Sequence, residues 1–266
     1  MNLVHRARSG FAKGEHAIVF TFFRSLKPLV EKFKPDNTYF VLEGKPKHRK
    51  DLSHDYKSNR KPQPSSFWRQ CDEILEILSM LPITVIKHPD YECDDVIANL
   101  AKKHSLLGDD VTVVSTDSDF IQLWDTLDYE KVNLYNPVKK SYVEKPDYDY
   151  LEWKSFRGDV SDNIAGIPGV GEKTALKIMQ NQQLKEEILS NELKRKIFER
   201  NRELIRFHWF DNLEGCLSKS GCIINKQEVD LTSVKKAFKN FGFKSMLADK
   251  YWDKFEKTFI NHANQE

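Results

Sequence analysis

The chain has 266 residues, 39% of them apolar and 31% charged, with a formal net charge of +2. This suits one large domain or a core with an appendage, and an aromatic content of 12% argues against a disordered chain. No apolar run approaches the roughly 18–20 residues that span a bilayer, and the N-terminus lacks the apolar stretch of a signal peptide, so a cytoplasmic protein is expected.

The first expected helix covers residues 15–33, with Ile18, Val19, Phe22, Phe23, Leu26, Leu29 and Val30 at mixed three and four spacing and Pro28 in its second half. Thr38 to Leu42 is rich in strand formers and runs directly into Glu43. Gly44 to Ser66 is polar and basic and holds three prolines, so it reads as a mobile arm outside the core. Phe67 to Met80 has helical periodicity through Ile74, Leu75, Ile77 and Leu78, and Ile83 to Ile86 is a second strand. Asp94 opens a helix reaching about His104, with Asp94 and Asp95 in the first turn, where the helix dipole favours negative charge. Val111 to Ser115, rich in β-branched residues, reads as a third strand, followed at once by Asp117 and Asp119.

Strands alternating with helices predict an α/β fold with a mainly parallel sheet covered on both faces. Beyond about Tyr142 the strand pattern fades, and Leu151–Arg157, Lys173–Asn181, Leu184–Arg200 and Val234–Phe241 read as helices. The expected organisation is therefore an α/β core over residues 1–142, with an arm at about 44–66, and a helical region over 143–266.

Charge is distributed unevenly. Eight Lys or Arg face two Asp between Lys45 and Arg69, whereas acidic residues gather from Glu92 to Asp119. The four cysteines, at 71, 93, 216 and 222, form no Cys-x-x-Cys pair and read as reduced thiols.

Three acidic clusters stand beside expected element ends: Glu92-Cys93-Asp94-Asp95, Asp117-Ser118-Asp119 and Asp159-Val160-Ser161-Asp162. Each alone is explained as a helix cap or a turn. Together with Glu43, at the carboxyl end of a strand where ligands collect in such sheets, they would crowd one pocket with carboxylates that repel unless cations are present. All-oxygen donors without His or Cys point to Mg²⁺ or Mn²⁺. Two such ions roughly 4 Å apart would hold a phosphate, one activating a water and the other stabilising the leaving oxygen. Lys57 and Arg60, 14 and 17 residues after Glu43, suit neutralisation of the phosphate.

The run from Gly166 to Ala175, Gly-Ile-Pro-Gly-Val-Gly-Glu-Lys-Thr-Ala, has a glycine spacing near that of a phosphate-binding Walker loop, but Glu172 puts Lys173 one place out of register. A helix–hairpin–helix turn over about 157–181 fits better. Its glycines permit positive φ or close backbone approach, and amides at the next helix start can hold a DNA phosphate without reading sequence.

With these residues placed, the sequence resembles the 5′-3′ exonuclease family, which includes bacteriophage flap endonucleases and the 5′-nuclease domain of bacterial DNA polymerase I. The resemblance rests on Arg157-Gly158-Asp159-Val160-Ser161-Asp162-Asn163-Ile164 running into the glycine hairpin, on Glu92 to Asp95, on Asp117-x-Asp119 and on Tyr56-Lys57-Ser58-Asn59-Arg60, and covers nearly the whole chain. It implies a PIN-like fold with a helical arch through which a single-stranded 5′ end passes. It also implies metal binding by Glu92, Asp94, Asp117 and Asp119 with Asp95 close by, and a second metal served by Asp159 and Asp162. Lys57 and Arg60 would act on the scissile phosphate beside Tyr56. Gly166, Gly169, Gly171, Lys173 and Thr174 would grip the duplex, often with a potassium ion.

Two departures are visible. Glu43 stands where the family has Asp, keeping the charge with a longer reach. Asn2-Leu3 match the end of the family's first-strand motif Asp-x-x-Asn-Leu, whose strand and Asp would lie upstream of Met1. The expected function is a structure-specific 5′-nuclease, with exonuclease and flap-endonuclease activity on branched, nicked or free 5′ ends of DNA, monomeric and associated with replication. A non-cleaving DNA-binding protein of the same fold is the alternative if that Asp is missing, and a PIN-type ribonuclease is disfavoured by the hairpin.

Overall fold

The computed structural model describes residues 2–10, 12–219, 223–224 and 229–263; Met1 and Cys222 lie outside them. It divides into two compact units, one made of residues 1–43, 62–89 and 214–266, the other of residues 44–61 and 90–213. The boundary expected near 143 falls inside the second unit, where the helix Tyr150–Arg157 after it packs against the 3₁₀ helix Ser118–Asp125 before it.

In the first unit the helix Ala17–Phe33 buries Ile18, Val19, Phe22, Phe23, Leu26 and Val30 and continues through Pro28. An interior proline costs ~3 kcal/mol or more, and burial of this apolar face offsets it. The helix ends at Lys34, whose left-handed conformation returns its N–H to the Val30 carbonyl at 2.9 Å. Against it packs Ser65–Leu78 through Phe67, Ile74, Ile77 and Leu78, and Gln70 Oε1 accepts the Ile18 N–H at 2.8 Å, satisfying an orphan donor of the first turn. Tyr39–Leu42 pairs in parallel with Thr84–Lys87, and Ile223–Ile224 adds antiparallel on the other side of the latter. Leu231–Asn240 and Asp249–Ala263 complete the core with Phe238, Phe255 and Phe259, all fully buried.

In the second unit Val111–Val114 pairs in parallel with Val132–Asn136, which also pairs antiparallel with Ser141–Tyr142. In place of the mainly parallel sheet expected from the strand pattern, the described residues form two three-stranded sheets, each with one parallel pair and one antiparallel strand, and a separate two-stranded one. The helices are Lys47–Leu52, Cys93–Leu106, Tyr150–Arg157, Glu172–Met179, Gln182–Ser190 and Glu192–Ile205. The long helix expected from 184 to 200 is two, divided at Asn191, whose side chain accepts the Lys194 N–H and starts the second. The expected arm is partly structured: Lys47 to Arg60 belongs to this unit and is anchored in it by the buried Arg49 and Tyr56, while most of the segment is exposed. Among the described residues Cys71, Cys93 and Cys216 form no disulfide. Among the described residues no helix is long and apolar enough to cross a membrane.

Candidate metal centre

The site lies wholly within the second unit. Asp119 follows the strand Val111–Val114 and occupies the first turn of the 3₁₀ helix Ser118–Asp125. Asp117 precedes it and accepts the Asp119 N–H at 3.1 Å, so the capping role open to either residue falls to Asp117, which is exposed. Asp159 and Asp162 lie on a tight hairpin in which Gly158–Asp159 pairs with Ile164–Ala165, the turn closing through Asn163 in the left-handed conformation (φ 59°). Asn201, fully buried on Glu192–Ile205, ties that hairpin down with hydrogen bonds to the carbonyls of Ser155 at 3.0 Å and Ala165 at 2.8 Å.

Carboxylate oxygens of Asp119, Asp159 and Asp162 come within 4.8 Å of one another. Three anions that close repel, and two lysines and an arginine offset them. Lys154 Nζ, 3% exposed on Tyr150–Arg157, pairs with Asp119 and with Asp159 Oδ2 at 2.6 Å. Lys57 pairs with Glu92 and reaches Asp162 at 3.5 Å, and Arg60 bonds Asp162 at 2.6 Å. Burial pushes Asp119 up to about 6, against the pull of Lys154 and with the help of Asp117. For Asp159 burial is outweighed by Lys154 and the hydrogen bonds from Ser161, which hold it at about 2. Burial would lower Lys154, but Asp119 and Asp159 keep it charged.

The segment carrying Lys57 and Arg60 docks on the hairpin through its backbone. Lys57 N–H donates to the Asp162 carbonyl at 2.9 Å, Asn59 Nδ2 to the Val160 carbonyl at 2.9 Å, and Asn163 Nδ2 to the Asp55 carbonyl at 2.8 Å. Two motifs about a hundred residues apart are thus one structural element.

A small recess is lined by Arg49, Lys57, Glu92, Asp94, Asp119 and Asp162. The expected ligands therefore divide. Asp119, Asp159 and Asp162 form the group; Glu92 joins it through Lys57 and through the Tyr56 hydroxyl, whose single proton is shared between Glu92 Oε2 at 2.9 Å and Asp162 Oδ2 at 3.1 Å. Asp94 lines the recess. Asp95 does not join: it is fully buried, its carboxylate engaged by Arg49 and by the His208 N–H at 2.9 Å. Tyr56, expected to touch DNA, is 3% exposed and acts as an internal donor instead, its hydroxyl pushed well above the usual range by burial and by Glu92. Glu43 follows its strand in the first unit.

The glycine run also divides. Gly166 is required by close approach, since a Cβ there would sit 2.0 Å from the Arg157 carbonyl oxygen, and Gly169 by positive φ (82°). Gly171 meets neither demand: it is extended, with open space around it, and precedes Glu172–Met179. Gly169, Gly171 and Lys173 are exposed and Thr174 is half-buried.

Lys154 and Arg49 were not foreseen from the sequence. Lys154 left a faint trace as the one cation between the inward-facing Tyr150, Trp153 and Phe156. Arg49 left none, because it lies in a basic run that reads as solvated. The donor set, carboxylate oxygens of Asp119, Asp159 and Asp162 with no His or Cys among them, fits a hard divalent cation.

Residues 4–152 match the family described as 5′-3′ exonuclease, N-terminal resolvase-like domain. A 5′-3′ exonuclease of Aquifex aeolicus is 31% identical over 255 residues, which cover 87% of this chain and 84% of that protein. DNA polymerase I of Thermus thermophilus is 33% identical over 199 residues, 73% of this chain but 24% of the polymerase, so the chain matches about a quarter of that relative's length. Among solved structures, T5 5′-exonuclease with zinc ions bound is similar with a TM-score of 0.59 at 21% identity, over 98% of this chain and 96% of that one. The catalytic core of Rad2 in complex with DNA substrate follows at 0.57 and 18%, over 95% and 88%. Those structural likenesses speak for the fold, and the sequence matches for descent: the chain belongs to the 5′-3′ exonuclease family.

Proposed function

We propose that the protein is a metal-dependent, structure-specific 5′-nuclease that hydrolyses phosphodiester bonds in DNA carrying a 5′ flap, a nick or a free 5′ end. The observation that carries this is the convergence of Asp119, Asp159 and Asp162, from segments remote in sequence, to within 4.8 Å. Mg²⁺ is the ion that best suits such donors, with Mn²⁺ able to substitute. Asp119, Asp159 and Asp162 would hold it, with Glu92, Asp94 and Asp117 extending the set to two ions, and Glu43 remains a candidate through the family position it occupies. Bound there, the ions would polarise water and phosphate for in-line displacement.

The chain's own cations act alongside. Lys57 pairs with Glu92 and Arg60 with Asp162, and we assign both cations to the phosphate oxygens when divalent ions neutralise those carboxylates. Lys154, anchored between Asp119 and Asp159, keeps two ligand-bearing segments in register. The exposed turn Gly169 to Lys173, opening the helix Glu172–Met179, would take a backbone phosphate of the duplex, with Gly166 shaping the turn, Thr174 beside it and a potassium ion on its carbonyls. A role in replication or repair, in the cytoplasm of a bacterium or phage-infected host, follows from the family.

The test compares cleavage of 5′-flap DNA and single-stranded RNA, in Mg²⁺ and in EDTA, by the wild type and by Asp162→Asn. The expected result is DNA cleavage in Mg²⁺ only, lowered by Asp162→Asn more than the 10–100-fold typical of losing a group behind a metal ligand. Cleavage in EDTA, or full activity of Asp162→Asn, refutes the metal assignment. RNA cleavage with intact DNA refutes the substrate.

A further inference from the structure

Arg49 is 7% exposed at the base of the segment that carries Lys57, and its whole guanidinium fork is engaged. Nε donates to the Leu204 carbonyl at 2.8 Å and Nη2 to the Arg206 carbonyl at 2.8 Å. Nη1 and Nη2 clasp Asp95 at 2.6 and 2.8 Å. Nη1 also donates to Glu92 Oε2 at 2.8 Å, an oxygen that receives the Tyr56 hydroxyl as well. Glu92 Oε1 faces Lys57.

The two oxygens of Glu92 are therefore in different situations. Oε2 is held by two donors that are themselves buried and anchored. Among the described residues Oε1 meets one ammonium, that of Lys57, which the proposed chemistry needs elsewhere. Asp95, for its part, is fully buried and keeps the Arg49 fork oriented while accepting the His208 N–H. A planar fork can clasp one carboxylate and reach a second acceptor at a fixed angle; a lysine in its place reaches one or the other.

We infer that the Arg49–Asp95 pair is a positioning device that locks Glu92 Oε2 and so presents Oε1 alone toward the recess as a metal-ligating oxygen. This rests on the reading of Glu92 as a ligand. Asp95 earns its place beside the ligand cluster by orienting Arg49, which acts on metal affinity without touching metal or substrate. Such groups behind a ligand typically govern affinity by 10–100-fold.

The test titrates Mn²⁺ into the metal-free full-length chain, by calorimetry and by the loss of the free-ion electron paramagnetic resonance signal, for Arg49→Lys, Asp95→Asn and Glu92→Gln. Cooperative urea unfolding in EDTA is checked for each. Arg49→Lys and Asp95→Asn are expected to weaken Mn²⁺ binding 10–100-fold, to leave DNA affinity in Ca²⁺ within twofold, and to lower kcat with KM unchanged, excess Mn²⁺ restoring kcat. Affinity within threefold of wild type in both, with Glu92→Gln impaired, overturns the Arg49 role alone. Unchanged affinity in Glu92→Gln overturns both that role and the ligand assignment. If Arg49→Lys fails to fold, Asp95→Asn decides by the same criteria.

Discussion

Lys154→Met removes the cation on which two ligand-bearing segments close. Lys154 is 3% exposed, and its ammonium pairs with Asp119 and, at 2.6 Å, with Asp159. At an effective dielectric of 20 a contact pair at 4 Å is worth about 4 kcal/mol, yet dehydrating each ion costs several kcal/mol, so the intact cluster contributes little net stability. Removing one partner is different, because it strands buried carboxylates with no counter-charge, and the expected loss is about 3–5 kcal/mol. The loss is expected to be larger at pH 7.5 than at pH 5.5: Asp119 already titrates at about 6, and without Lys154 it takes up a proton more readily, which relieves the repulsion. Divalent ions then substitute for the missing charge. The assay is urea unfolding of wild type and variant at both pH values, in EDTA and in saturating Mg²⁺, with the variant gaining more from Mg²⁺ than the wild type does. A loss under about 1 kcal/mol in EDTA at pH 7.5, or an equal Mg²⁺ gain in the two proteins, would refute this account of the cluster.

Asp119→Asn is expected to abolish cleavage while stabilising the metal-free fold by about 1–3 kcal/mol at pH 7.5, since each unit of raised pKa corresponds to 1.36 kcal/mol. The sign follows from a folded-state value above the unfolded one of about 3.8. The native state binds the extra proton, so this contribution to stability is complete below about 3.8 and is lost as pH rises through about 6. Urea unfolding in EDTA between pH 4.5 and 7.5 checks it, and destabilisation at pH 7.5 would contradict it. In the glycine run, Gly166→Ala is expected to disrupt the fold severely, its Cβ meeting the Arg157 carbonyl at 2.0 Å, whereas Gly171→Ala, in open space and without positive φ, is expected to shift stability by less than ~1 kcal/mol. Thermal melts of the pair decide between these demands, and equal effects would overturn the distinction.

Much of this protein was legible in its sequence. The apolar spacing of Ile18 to Val30 marked a helix despite Pro28, because a face that large outweighs one missing hydrogen bond. The strand run at Val111 ended where Asp117 and Asp119 were expected to leave it. Carboxylates without His or Cys narrowed the metal to a hard cation, and Glu172, which puts Lys173 one place out of register, excluded a Walker loop. All of these are local properties, set by periodicity, side-chain chemistry and backbone freedom within a few residues.

What the tertiary structure alone decided is how those local pieces meet. Asp95 and Asp94 are adjacent in one helical turn, yet the turn directs Asp94 to the recess and Asp95 into the interior. Tyr56 and Lys57 divide in the same way, one a buried donor and the other a paired cation. Whether a charged residue in a basic run is solvated or buried depends on acceptors supplied from far along the chain, as the Leu204 and Arg206 carbonyls do for Arg49. Periodicity within a segment holds no record of those partners, so Arg49 and Lys154 emerged only with the packed fold.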